Sequence, residues 1–66
     1  MELSAGIHTV QEILDLVGLE VDDSFDRRRI KISGLGFDYT DKPIRVVGES
    51  FDVTLDGEVF ATVTVL

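Results

Sequence analysis

The apolar positions change period partway along the chain. At Val10, Ile13, Leu14 and Val17 they fall at i, i+3, i+4 and i+7, the spacing of one helix face. Thr9-Val10-Gln11-Glu12 supplies a capping box at the start of that face. There the Thr9 hydroxyl accepts from the Glu12 N–H, and the Glu12 carboxylate accepts from the Thr9 N–H. Gly18 stands where a left-handed stop is expected, with Leu19 able to fold back on Leu14. Start, stripe and stop agree on a helix over residues 10–17.

Glu20 to Asp26 is an acidic connector, and beyond it the period falls to two. Arg28 to Ser33 alternates as a strand, with Ile30 and Ile32 on one face and Arg29 and Lys31 on the other. Gly34-Leu35-Gly36 reads as a turn into a second strand, where Phe37 and Tyr39 alternate with Asp38 and Thr40. Asp41-Lys42-Pro43 breaks the run, Ile44 to Val47 forms a third strand, and Gly48-Glu49-Ser50 turns again. Phe51 to Leu66 closes the chain as an antiparallel hairpin turning at Asp56-Gly57.

Two registers compete in that hairpin. A two-residue turn sets Val53 against Phe60 and mixes polar with apolar residues on both faces. A three-residue loop, Leu55-Asp56-Gly57, sets Val53 against Val59 and Phe51 against Ala61. One face then carries Phe51, Val53, Val59, Ala61, Val63 and Val65. A slip of one residue exchanges the faces, so this segregation favours the longer loop. The opposite face carries Phe60, Thr62, Thr64 and Leu66. Phe60 and Leu66 are anomalous among threonines. Either the helix or another strand covers them, or they meet a partner chain. The last strand also lacks a charged guard, which leaves a β edge open to strand addition.

The expected fold is α+β and mostly β. A short N-terminal helix is followed by a four- to five-strand antiparallel meander, a small barrel or curled sheet, in one domain over residues 1–66. Without cysteine there is no disulfide or thiolate metal site, and a small core without staples often relies on association with another chain. The same absence fits a cytoplasmic location. No apolar run approaches the roughly 20 residues of a membrane span, and Met1 to Ser4 lacks the basic and apolar blocks of a secretory leader.

The formal charge is −7, from 13 acidic and 6 basic residues. Four of the six basic residues are Arg27, Arg28, Arg29 and Lys31, so an acidic body carries one basic strip. The net field repels phosphate and disfavours general nucleic-acid binding. Alternation would put Arg27, Arg29 and Lys31 on one strand face, near Phe37 or Tyr39. Such a strip could hold a single strand by stacking and phosphate contact, or simply lie among its own carboxylates.

Little else in the chain carries chemistry. His8 is the only histidine and no nucleophile or orienting group is specified beside it, so it reads as a neighbour of the helix cap. Asp22, Asp23 and Asp26 offer oxygens but miss the alternating ligands and distal Glu of a calcium loop, so they read as solvated. Gly34-Leu35-Gly36 lacks the lysine and following helix of a phosphate loop. No catalytic residue, cofactor or metal is expected.

The helix followed by a meander resembles the small barrel of the Sm-like and SH3-like folds, in topology only. Thr54 to Glu58 is similar to the first hairpin turn of ubiquitin. Thr9-Val10 with Glu12-Ile13-Leu14 looks like the helix start of bacterial sulfur-carrier proteins. In those β-grasp proteins the hairpin precedes the helix, and this sequence ends Val65-Leu66 rather than Gly-Gly, so no carrier chemistry is implied.

The function expected from these features is a non-enzymatic protein-interaction or assembly module. It is expected to self-associate, with a virion or a bacterial multiprotein complex as a fitting setting. The alternative is an acidic inhibitor or nucleic-acid mimic that uses Asp22, Asp23 and Asp26 to occupy a basic site. A nucleic-acid-binding barrel built on Arg27, Arg29 and Lys31 ranks third.

Overall fold

A computed structural model describes all 66 residues. Two short strands come first, β1 (Glu2–Leu3) and β2 (Gly6–Thr9), followed by the helix α1 (Val10–Val17). A single 3-10 turn at Arg27–Arg29 leads into β3 (Ile30–Ile32). Strands β4 (Pro43–Val46), β5 (Ser50–Leu55) and β6 (Glu58–Val65) complete the chain. The strands form a four-stranded sheet in the order β1-β6-β5-β3 and a separate pair, β2-β4. Neither sheet closes, so the expected barrel is replaced by two open sheets. The helix is not the first element, and β1 runs parallel to β6, which breaks the antiparallel meander.

The helix forms as its sequence dictates. The Glu12 N–H donates to Thr9 Oγ1 at 3.1 Å, and the Thr9 N–H donates to Glu12 Oε1 at 3.0 Å. At the other end Gly18 adopts φ 79°, a left-handed conformation that costs a residue without a Cβ little. The Leu19 N–H donates to the Leu14 carbonyl at 3.0 Å and the Gly18 N–H to the Asp15 carbonyl at 3.3 Å, the paired bonds of a Schellman stop. Val10, Ile13, Leu14 and Val17 are buried. They join Ile30, Ile32, Phe37, Val46, Phe51, Val53, Ala61 and Val63 in one apolar cluster.

Two expected strands come out differently. Arg28 and Arg29 leave the alternation because the Asp26 carboxylate accepts from the Arg28 N–H at 3.0 Å and winds residues 27–29 into the 3-10 turn. The strand expected over Phe37 to Thr40 does not form. The chain turns instead at Ser33-Gly34, with φ 54° and 76°, and Leu35 bridges back to Ile32. Phe37 is buried as a core plug, whereas Tyr39 is exposed.

The closing hairpin also departs from the favoured register. Leu55 opposes Glu58 across a two-residue turn in which Asp56 and Gly57 have φ 54° and 84°. Positive φ at both positions matches the right-handed twist of the flanking strands. Thr54 opposes Val59, but Val53 opposes Ala61, so β6 has one extra residue, a β-bulge at Phe60. The bulge gives the facing expected of a longer loop, but Val53 and Phe51 meet Ala61 and Val63, two residues further along β6 than the expected Val59 and Ala61. Phe51, Val53, Ala61 and Val63 therefore share the buried side as expected, with Phe51 opposite Val63. Val59, expected on that side, is 60% exposed because it precedes the bulge.

If the bulge alone sets the shift, deletion of Phe60 regularises the hairpin without moving its buried residues. Nuclear Overhauser contacts between Val53 and Ala61 and between Phe51 and Val63 then persist in the deletion variant. Val53 facing Thr62 instead would contradict this account.

Candidate interaction surface

The residues singled out on β6 and directly after it are all on the surface. Phe60 is 44% exposed and Leu66 70% exposed, so neither the helix nor another strand covers them. Thr62 and Thr64 are exposed between them, and the Thr62 hydroxyl donates to Asp52 Oδ1 across the β5–β6 ladder at 2.8 Å. Val59 and Met1 add exposed apolar side chains to this region. Periodicity did not reveal either of them. Val59 was hidden by a bulge that no local pattern marks, and Met1 by its place beside a two-residue strand.

The edge expected to be open at the end of β6 is occupied. Glu2 pairs with Thr64 and Leu3 with Val65. The Thr64 N–H donates to the Met1 carbonyl at 2.8 Å and the Leu66 N–H to the Leu3 carbonyl at 2.9 Å. Parallel pairing with so distant a segment leaves no trace in the local pattern around residues 64–66. β1 begins its pairing at Thr64, and the stretch of β6 before Val63 has no strand on that side.

The basic strip does not form one strand face, because Arg27, Arg28 and Arg29 lie in the 3-10 turn and only Lys31 lies in β3. Two of its cations are already paired. Arg28 makes a fork to Asp26 at 3.0 and 3.0 Å, and Arg29 makes one to Asp56 at 3.0 and 3.0 Å while lying 5.0 Å over the Phe25 ring. These partners hold the Asp26 and Asp56 carboxyls below the usual carboxylate range. Arg27 is half-buried, and its Nε has no hydrogen-bond partner. Two of the four cations are thus paired with carboxylates, while Lys31 is exposed with no ion pair.

The acidic residues are separated in the same way. Asp22 accepts from the Ser24 hydroxyl at 2.7 Å and the Ser24 N–H at 2.9 Å, as a turn-forming side chain, and those bonds lower its pKa. Asp26 caps the 3-10 turn, and Asp23 is exposed. No three potential ligands converge on a point that could hold a metal ion.

His8 sits in a defined polar niche. Its side chain is 14% exposed. Nδ1 lies 3.0 Å from Glu12 Oε2, and Nε2 lies 2.8 Å from the Ser4 carbonyl oxygen, with Ser4 Oγ at 3.5 Å. A carboxylate and a carbonyl both accept, so the two bonds form together only when both ring nitrogens donate, as in the imidazolium. The Glu12 hydrogen bond, and then the Ser4 carbonyl, raise the His8 pKa against an opposing cost of burial. The reciprocal bond from His8 chiefly lowers that of Glu12. This group ties the β1–β2 connection to the helix cap, and no nucleophile is set for attack beside it.

A cleft of about 80 Å³ between strands of the two sheets is lined by Ile32, Ser33, Ile44, Arg45, Val46, Val47 and Phe51, and larger, more open hollows of about 520 and 440 Å³ lie beside Arg28, Arg29 and Lys31 and beside Gln11, Asp15 and Asp22. No helix in the chain is long and apolar enough to cross a membrane. Comparison with family models, with curated proteins and with solved structures finds no match to this chain.

The His8 geometry carries a pH dependence. The pKa is raised on folding, so its stabilisation is complete below the ordinary value of 6.5 and is lost as pH rises through the folded value. The Glu12 contribution runs the other way. It is present above 4.5 and lost as pH falls through the depressed folded value. Thermal unfolding followed from pH 5 to 9 should show a decline on the alkaline side that His8→Gln removes. A His8 titration by NMR with its midpoint at or below 6.5 would contradict the assignment.

Proposed function

We propose that this chain is a non-enzymatic interaction module that engages another protein through the open half of β6, residues Glu58 to Thr62. The observation that carries this reading is the exposure of Val59 and Phe60 beside a stretch of strand with nothing on one flank. Exposed apolar groups next to an unpaired edge favour contact with another chain. Self-association was expected through strand edges or through the face carrying Phe60 and Leu66; β1 pairs with the edge at Thr64 and Val65, and the contact proposed lies upstream of it. Assembly within a larger complex remains the setting that best suits so small a surface.

The test is affinity capture from the native host, with the captured partner then purified and its binding remeasured. Phe60→Lys and Val59→Lys should each weaken binding at least tenfold, whereas Leu35→Lys, an exposed apolar position away from β6, should leave it unchanged. Circular dichroism checks that all three variants fold. Equal loss in Leu35→Lys, or no loss in the β6 variants, would overturn this reading.

A further inference from the structure

The unpaired main-chain groups of the two sheets are distributed unevenly. On the outer side of β3, the Ile30 N–H donates to the Arg27 carbonyl. The Ile32 N–H and carbonyl both pair with Leu35, at 2.9 and 2.9 Å. In the β2–β4 pair, the Thr9 N–H is taken by Glu12, and β4 begins with Pro43, which has no N–H. The last residues of β6 are bonded to β1. Ile7 and Arg45 keep outward main-chain groups in the β2–β4 pair, and so does the upstream part of β6, where two apolar side chains are exposed beside them. The Val65 N–H bonds to the Glu49 carbonyl on the β5 side, whereas those of Thr64 and Leu66 bond to β1. Alternation then puts the N–H and carbonyl of Thr62 on the β1 side, upstream of the Glu2–Thr64 pair with which β1 begins.

Resting on the reading of β6 as a contact surface, we infer that the partner binds there as an added β-strand, and that the added segment is short, extended and basic. The free stretch Glu58 to Thr62 is peptide-sized, about 17 Å at the usual strand rise. An added strand gains affinity from main-chain hydrogen bonds and specificity from alternate side chains, and so needs little area. The bulge at Phe60 twists the edge locally. That twist tolerates one short strand and opposes a long continuous sheet.

Charge selects the occupant. Strands β1, β5 and β6 carry Glu2, Asp52 and Glu58 and no Lys or Arg. The chain as a whole is at −7. A second copy on this edge would bring the same carboxylates and the same net charge. A segment with Lys or Arg at alternate positions meets Glu2 and Asp52 on the outer face, which Val59 shares, and turns its apolar positions to the side of Ala61.

The probe is the capped peptide acetyl-Lys-Val-Arg-Val-Lys-amide, titrated into the whole chain and followed by amide NMR. Shifts should concentrate at Val59 to Thr62, and exchange of the Thr62 amide should slow at least tenfold near saturation. Affinity should fall about tenfold between low and physiological salt, as expected for contacts between exposed charges. The counterpart with Glu at the three basic positions should not bind over the same range. N-methylation of the central residue removes a main-chain donor while keeping every side chain, and should weaken binding at least tenfold. Equal binding of the N-methylated peptide overturns strand addition and leaves the contact surface standing. Equal binding of the acidic peptide overturns the charge assignment. Failure of every peptide to perturb β6 overturns the inference. A concentration-dependent dimer that protects the Thr62 amide overturns it in favour of a second copy, and again leaves the contact surface in place.

Discussion

The structure depends on one burial. The stripe Val10, Ile13, Leu14 and Val17 on α1 joins a single apolar cluster with Ile30, Val53 and Val63 from the four-stranded sheet, and no disulfide backs it up. A chain of this length has apolar surface for one core, so the sheet must present its valines and isoleucines on one side. That requirement fixes the side on which Ala61 and Val63 lie, and hence the relation of β6 to β5. A two-residue turn at Asp56-Gly57 puts β6 out of phase with this need by one residue. The bulge at Phe60 corrects the phase, leaving Val59 and Phe60 exposed. The surface proposed for binding is thus a by-product of making the core.

The second consequence concerns edges. An open sheet has two, and each is normally blunted. Here β3 is blunted by its own turns, and the end of β6 by β1. Because β1 is only two residues long, this cover stops partway, and the segment beside it is also where the bulge has turned apolar side chains outward. Free main-chain groups, exposed apolar atoms and an excess of carboxylates occur together there. This coincidence carries more weight than any one of the three features.

The features legible in the sequence are those encoded within a few residues. Thr9, Glu12 and Gly18 specify the helix ends through contacts three to five positions away, and the spacing of Val10 to Val17 specifies its buried face. Asp56-Gly57 likewise marks the turn. The features that escaped depend on distant or non-repeating interactions. Arg28-Arg29-Ile30-Lys31-Ile32 alternates perfectly, yet one hydrogen bond from the Arg28 N–H to Asp26 removes its first two residues from the strand. Phe37 to Thr40 also alternates but has no strand to pair with, and Phe37 serves as a core plug. The candidate site was half legible. Phe60 and Leu66 stood out as apolar residues among threonines, whereas Val59 and the cover supplied by β1 required the bulge and a pairing more than 60 residues distant.

The account turns on whether the outer side of β6 is free before Val63 and filled after it. Amide hydrogen exchange on the dilute, unliganded chain measures this residue by residue. The Thr62 amide should exchange at a rate close to that of an exposed loop, while those of Thr64 and Leu66, bonded to the Met1 and Leu3 carbonyls, and of Val65, bonded to Glu49, should be protected. Protection of Thr62 equal to that of Thr64 under those conditions would show that the edge is already closed, and the proposed surface would not exist.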